Sequence, residues 1–327
     1  MTGIATMHDS INEFITSLEA SGKHETVRGY GPNLEQYEGW LASKGMDPLT
    51  VRADDIRSFQ RWLAEEYRSA AGEPLAKSTQ ALRLACIKAY YGWMMRRGLV
   101  LVDVSRKVKL PKVRRRVTQR DYLSLQEATA VLQTQNACVQ TYCEGSYRWA
   151  REHLVLTLLC IAIASGRRRF HLRSMRVADL DFKRNEIRFD REKGKAGRVL
   201  PVAGWAMEVA KVFIDKAHRI LNWRKDNDYV FVGERSPRIG KQTLAQMLER
   251  VHKETIEKNP DLEDFPKKKL SMHSLRVTFA KLLFNNGCGI RSVNELMMHS
   301  QLSTTAYYTP LPLEDLRRVC RQTHPRA

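Results

Sequence analysis

A chain of 327 residues with 43% apolar side chains and six tryptophans is long enough for two domains and too apolar to be disordered. Its 55 Lys and Arg against 36 Asp and Glu leave a net charge of +19, which points to a polyanionic partner, nucleic acid first and an acidic membrane surface second. The best apolar run, Leu154 to Ala164, is too short to span a bilayer and no basic-then-apolar leader opens the chain, so a cytoplasmic protein without membrane spans is expected.

Residues 8 to about 100 read as helices with little strand signal, which makes 1–105 a compact all-α domain. Ile11, Phe14, Ile15 and Leu18 recur at helical spacing, as do Leu34, Tyr37 and Leu41. Thr50 can cap a third helix through Ile56, Phe59 and Leu63. A fourth begins near Lys77 and carries Leu82, Leu84, Ile87, Tyr91 and Met94. Arg96 and Arg97 fill its last turn and Gly98 stops it.

Charge is unevenly spread. The first fifty residues hold three basic side chains against seven acids. Residues 106–120 hold Arg106, Lys107, Lys109, Lys112, Arg114, Arg115, Arg116 and Arg120 and no acid. Alone, such a run reads first as a solvated tail or linker. Placed mid-chain around Pro111, it reads as an interdomain linker that tracks a phosphate backbone, with Lys109, Lys112, Arg114, Arg115 and Arg116 as contacts. Lys77, Ser78 and Thr79 are candidate phosphate or base contacts, or an ordinary helix start.

Ser124-Leu125-Gln126-Glu127 is a capping box that opens a second domain, residues 121–327. Helices are expected over 127–135 and 147–164, then three short strands at 177–182, 186–190 and 198–202. Turns at Lys183-Arg184-Asn185 and Gly194-Lys195-Ala196-Gly197 separate them. From Ala206 the chain is mostly helical again, apart from a short Tyr229-Val230-Phe231 segment. Helices around one small sheet make an α+β domain. The six cysteines (Cys86, Cys138, Cys143, Cys160, Cys288, Cys320) form no CxxC pair and no metal spacing with histidine, so free thiols are expected.

Chemistry concentrates in the second half. His299 and Tyr308 stand nine residues apart across a short polar turn, and His273-Ser274-Leu275-Arg276 puts a histidine and an arginine on one helical face. Tyrosine is a poor nucleophile unless basic groups surround it, and here they do, so covalent reaction at an anionic centre is the working hypothesis. Upstream lie Ser165-Gly166-Arg167-Arg168 with Leu172, Met175 and Asp179-Leu180-Asp181, and Glu192-Lys193-Gly194 ahead of Arg198-Val199-Leu200-Pro201-Val202. On these residues the chain resembles the tyrosine recombinase (phage integrase) family over nearly its whole length, with an Xer/Cre-like two-domain plan.

The resemblance implies an all-α core-binding (SAM-like) domain at 1–105 that clamps DNA, and a mainly helical α+β tyrosine-recombinase catalytic domain at 121–327 with a small antiparallel sheet. Counting from Gly166 selects Arg168 as the catalytic arginine, and register against the following strand selects Lys193. His273, Arg276, His299 and Tyr308 complete the set, with the nine-residue spacing favouring Tyr308 over Tyr307. The implied activity is site-specific recombination through a 3′-phosphotyrosine and a Holliday junction, with double-stranded DNA as partner. The implied assembly is a homo-tetramer on two sites in a prokaryotic, nucleoid-associated setting, with an accessory protein as a further partner. No metal and no other cofactor are expected, because the arginines carry the charge work.

Each residue also has a commonplace role. Arg168 lies in an arginine run, Lys193 on a hairpin tip, and the tyrosines can be packing aromatics. The tail Leu313–Val319 reads as an amphipathic helix that docks on a neighbouring protomer or folds back on its own domain. Two departures from the family pattern stand out: His171 where an acidic residue is usual, and Met297-Met298-His299 where Leu-Gly-His is usual. Two other readings stay open: a type IB topoisomerase-like relaxase that uses the same residues as a monomer, and a catalytically weak DNA-binding accessory protein, which His171 supports.

Overall fold

The structure, a computed structural model, describes residues 7–22, 24–113, 122–189, 197–223 and 226–297. It divides into two compact units, Met1–Arg115 and Arg116–Ala327.

The first unit is built from α1 (Met7–Ala20), α2 (His24–Ser43), α3 (Ala53–Glu65) and α4 (Lys77–Arg96). Their apolar stripes close on Phe14, Leu34, Tyr37, Leu41, Phe59, Leu63, Ile87, Tyr90 and Met94, all buried. Aromatic rings fill the centre, with Tyr37 edge-on to Phe59 at 4.9 Å between centroids. Buried phenols need partners, and the Tyr91 hydroxyl donates to the Pro48 carbonyl at 3.1 Å and sits 3.2 Å from that of Tyr37. Desolvation raises the pKa of both phenols.

Two expectations change here. Thr50 does not cap α3; its hydroxyl donates to the Asp47 carbonyl, and Arg52 is the N-cap, its backbone N–H donating to the Asp55 carboxylate at 2.8 Å. Leu82 is 52% exposed, because the buried face of α4 runs through Gln80, Leu84, Ile87 and Tyr91. Gly98 stops α4 as expected, at φ +72°.

The basic stretch begins while the chain is still packed on this unit. A 3₁₀ turn at Val104–Lys107 is capped by Asp103, Val108 is buried in the core, and Lys88 of α4 donates to the carbonyls of Ser105 (2.7 Å) and Val108 (2.8 Å). Lys109 and Lys112 are exposed. Lys77 and Ser78 are also exposed in the first turn of α4, and Thr79 is half-buried.

The second unit surrounds α6 (Tyr147–Ser165), which is buried over most of its length and carries the longest apolar run of the chain. Around it pack α5 (Leu125–Gln140), α8 (Gly204–Val212) and α11 (Met272–Asn285). Ser124 and Glu127 form the expected capping box, and α5 extends five residues beyond the expected 135. α8 widens into a π-helical turn at Phe213–Ala217 and continues as α9 (His218–Leu221). The sheet is antiparallel in the order β1 (Leu180–Asp181), β2 (Glu186–Phe189), β3 (Arg198–Pro201), with Ile187 opposite both Leu180 and Leu200. Ile187 and Phe189 face the core and Arg188 faces out, the two-residue alternation of a half-buried strand. Val177–Asp179, expected as strand, is a 3₁₀ turn in which the Arg176 amide donates to the Asp179 carboxylate. Residues 175–177 instead pair with 228–230, Val177 N–H on Asp228 O at 2.8 Å and Val230 N–H on Met175 O at 2.9 Å.

The remaining elements are α7 (Arg169–Arg173), α10 (Lys241–Lys258) and α12 (Ile290–Leu296). Among the described residues no helix is long and apolar enough to cross a membrane. The described cysteines are free thiols, and burial pushes that of Cys160 up to about 12.

Candidate active site

Three segments remote in sequence meet at one cleft of about 860 Å³: the turn after α6, the N-terminal half of α10, and residues 268–276 leading into α11. Six basic side chains line it (Arg168, Arg169, Lys241, Lys268, Lys269 and Arg276), together with His252 and His273, against one acid, Glu249. A concave, strongly cationic site of this kind concentrates field on an anion.

The turn that presents Arg168 depends on Gly166. α6 ends there with φ +58°. A Cβ at this position would lie 2.3 Å from Cδ1 of Phe279 on α11, so glycine is needed both for the left-handed backbone and for the close approach. The chain then places Arg167 inside and Arg168 outside. Arg168 is exposed at the N-cap of α7, and Arg167 is buried with its guanidinium 4.8 Å from the centroid of Phe189. Gly166→Ala is expected to lower the unfolding free energy by about 2–5 kcal/mol in urea titration, left-handed strain plus overpacking. Gly287→Ala, at φ +84° with open space around it, is expected to cost about 1–2 kcal/mol. Equal losses would show that Phe279 simply moves aside.

α11 is held at its start by a reciprocal cap, Ser274 N–H on Ser271 Oγ at 3.1 Å and Ser271 N–H on Ser274 Oγ at 2.8 Å. In its first turn, His273 is exposed to the cleft while Arg276, three residues on, is only 4% exposed. Arg276 donates from Nη1 to the Gly166 carbonyl and from Nη2 to the Met297 carbonyl at 2.8 Å. It therefore ties α6, α11 and the end of α12 together while lining the cleft. His171 is half-buried, edge-on to Phe170 and Phe189 with centroids at 5.8 and 6.3 Å.

Of the expected catalytic set, Arg168, His273 and Arg276 line the same cleft. Lys193, His299, Tyr307 and Tyr308 lie outside the described residues, as do Arg114, Arg115, Arg116, Arg120, Cys320 and the Leu313–Val319 tail. The sequence reading did not single out Arg169, Lys241, His252, Lys268 or Lys269 as site residues, since only tertiary contact brings α10 and the 268–271 segment to the arginine turn.

The sequence pattern of the phage integrase family matches residues 132–312, more than half of the chain. The chain belongs to the phage integrase family of tyrosine recombinases. The N-terminal SAM-like domain of phage integrases matches residues 11–98, which is the first unit's helical core. A relative in Pelotomaculum thermopropionicum, tyrosine recombinase XerC, is 28% identical over 331 aligned residues, covering 98% of this chain and 99% of that one. The fold is shared with the transposon Tn1549 integrase in complex with a circular intermediate DNA, at TM-score 0.66 and 16% identity, covering 97% of this chain and 99% of the other. It is also shared with a lambda integrase tetramer bound to a Holliday junction, at TM-score 0.61 and 15% identity, covering 94% and 78%. As a tyrosine recombinase of the integrase type, the chain carries a helical SAM-like domain followed by a mainly helical domain with a three-stranded antiparallel sheet.

Proposed function

We propose that this recombinase cleaves and rejoins DNA at specific sites through a 3′-phosphotyrosine, exchanging strands between two duplexes. The observation that carries the reading is the meeting of Arg168, His273 and Arg276 in one cationic cleft. A phosphodiester on its way to a five-coordinate state gathers negative charge on its non-bridging oxygens. Arg168 and Arg276 offer planar, cationic donor forks that match those oxygens. Arg276 lines the cleft while it grips the backbone carbonyls of Gly166 and Met297.

In this scheme the Tyr308 oxygen attacks phosphorus and the bond from phosphorus to the 5′-oxygen breaks. His273 takes the phenolic proton, whose reference pKa near 10 makes a base necessary. Lys193 gives a proton to the departing 5′-oxygen, and His299 donates a hydrogen bond to the phosphate. The phosphotyrosine keeps the energy of the broken ester, so a different 5′-hydroxyl can displace the tyrosine without ATP. Cleavage on two sites calls for a homo-tetramer on double-stranded DNA. Lys77, Ser78, Thr79, Lys109, Lys112 and Arg114–Arg116 supply backbone contacts, and the 313–319 segment serves either a neighbouring protomer or its own domain.

The test begins by footprinting the purified protein on its own replicon to find its site, then offers that site as a nicked suicide substrate. A covalent protein–DNA adduct lost in Tyr308→Phe and kept in Tyr307→Phe is expected. His171 in place of the usual acidic residue favours the second reading, an accessory DNA-binding protein. Tight specific binding with no adduct from the wild type would establish that reading in place of the first. Relaxation of plasmids lacking the site would move the assignment to a topoisomerase.

A further inference from the structure

Arg167 sits beside the exposed Arg168, but its side chain runs into the interior. It is 1% exposed. It donates from Nη2 to the carbonyl of Leu296 and from Nε to that of Ser165 at 3.5 Å, with Phe189 under its guanidinium. Leu296 is the last residue of α12, and Met297 is its C-cap, whose carbonyl is held by Arg276. Two guanidiniums thus close on two successive carbonyls at the end of a seven-residue helix.

Carbonyls at a helix C-terminus have no intrahelical partner and form the negative end of its dipole, so cations there are favourable. Many helices settle this end with a left-handed glycine. Here Met297 is right-handed and Met298 follows, so the end is held by side chains from outside. A helix of two turns is too short to hold it unaided.

We propose that Arg167 is a positioning residue for strand cleavage. With Arg276 it fixes the end of α12, the point from which the chain sets out toward His299 and Tyr308. The proposal rests on the phosphotyrosine reading above. Reacting atoms must sit about 3–3.5 Å apart, and a misplacement of about 1 Å costs about 10²-fold in rate.

The test compares Arg167→Met, which keeps an apolar stem over Phe189 and removes the donors, with Arg167→Lys, which restores one. Single-turnover adduct formation by Arg167→Met is expected to be about 10²-fold slower, with DNA affinity within about threefold of the wild type and at least about tenfold recovered in Arg167→Lys. Hydrogen exchange is expected to quicken in peptides covering 290–297 while α6 and α11 stay protected. Cleavage by Arg167→Met within about threefold of the wild type overturns the proposal. So does a Met variant that does not fold, or whose exchange rises evenly over α6, α11 and α12, because Arg167 would then serve the fold alone. Absence of adduct from the wild type sinks the phosphotyrosine reading instead, and the exchange pattern still judges Arg167.

Discussion

Arg276→Ala is expected to lose both cleavage and stability, and Arg168→Ala to lose cleavage alone. Both are arginines lining one cleft, but they are anchored differently. Arg276 is nearly enclosed and satisfies the carbonyls of Gly166 and Met297. Truncation strands both acceptors in the interior, and each buried unsatisfied group costs about 1–3 kcal/mol. Arg168 is exposed and makes no side-chain cap to α7, so its removal is expected to change unfolding by no more than about 0.5 kcal/mol. For cleavage, the loss of either guanidinium is expected to cost about 10²–10³ in single-turnover adduct formation. Arg276→Lys keeps the charge without the planar fork and is expected to recover little of either quantity. Urea unfolding beside the adduct assay separates the two effects. Equal stability of the alanine variants would mean that the two carbonyl bonds give no net stabilisation. Wild-type cleavage by Arg168→Ala would move the reaction out of this cleft.

That contrast marks where sequence reasoning reached and where it stopped. Counting from Gly166 distinguishes Arg167 from Arg168 because the spacing is local. It cannot say that Arg167 turns inward, because the reason lies in Phe189 on β2 and Leu296 on α12, far along the chain. Capping residues were legible where a single pattern fits, as at Ser124–Glu127, and misread at Thr50, where the Asp55 carboxylate accepts the Arg52 amide and starts the helix two residues later. Helical spacing found α4 but put Leu82 on the wrong side, since one apolar residue off the stripe looks the same in a one-dimensional pattern. The π turn at Phe213–Ala217 left no sequence trace, because its wider spacing still reads as helix. The cleft's extra cations on α10 and before α11 belong to the same class, assembled only by tertiary contact.

Neighbouring lysines on that cleft wall are expected to fail in opposite ways. Lys268 and Glu127 form a buried ion pair at 2.6 Å, their side chains 3% and 6% exposed. Glu127 Oε2 also accepts the Ser124 amide at 2.6 Å, so one carboxylate closes the cap of α5 and holds the segment entering α11. Lys268→Met leaves that carboxylate buried and uncompensated, which is expected to cost about 3–5 kcal/mol in urea unfolding. Adding Glu127→Gln removes the stranded charge, keeps an acceptor for the Ser124 amide, and is expected to restore most of the loss. Lys269 is exposed and lines the cleft. Lys269→Ala is expected to leave unfolding unchanged and to lower the slope of log affinity for DNA against log salt by about 0.9, one released counterion. If Lys268 instead spends its charge on DNA, Lys268→Met in the Glu127→Gln background would lower the same slope by about 0.9 as well. An unchanged slope there assigns Lys268 to the fold and leaves the phosphate contact to Lys269.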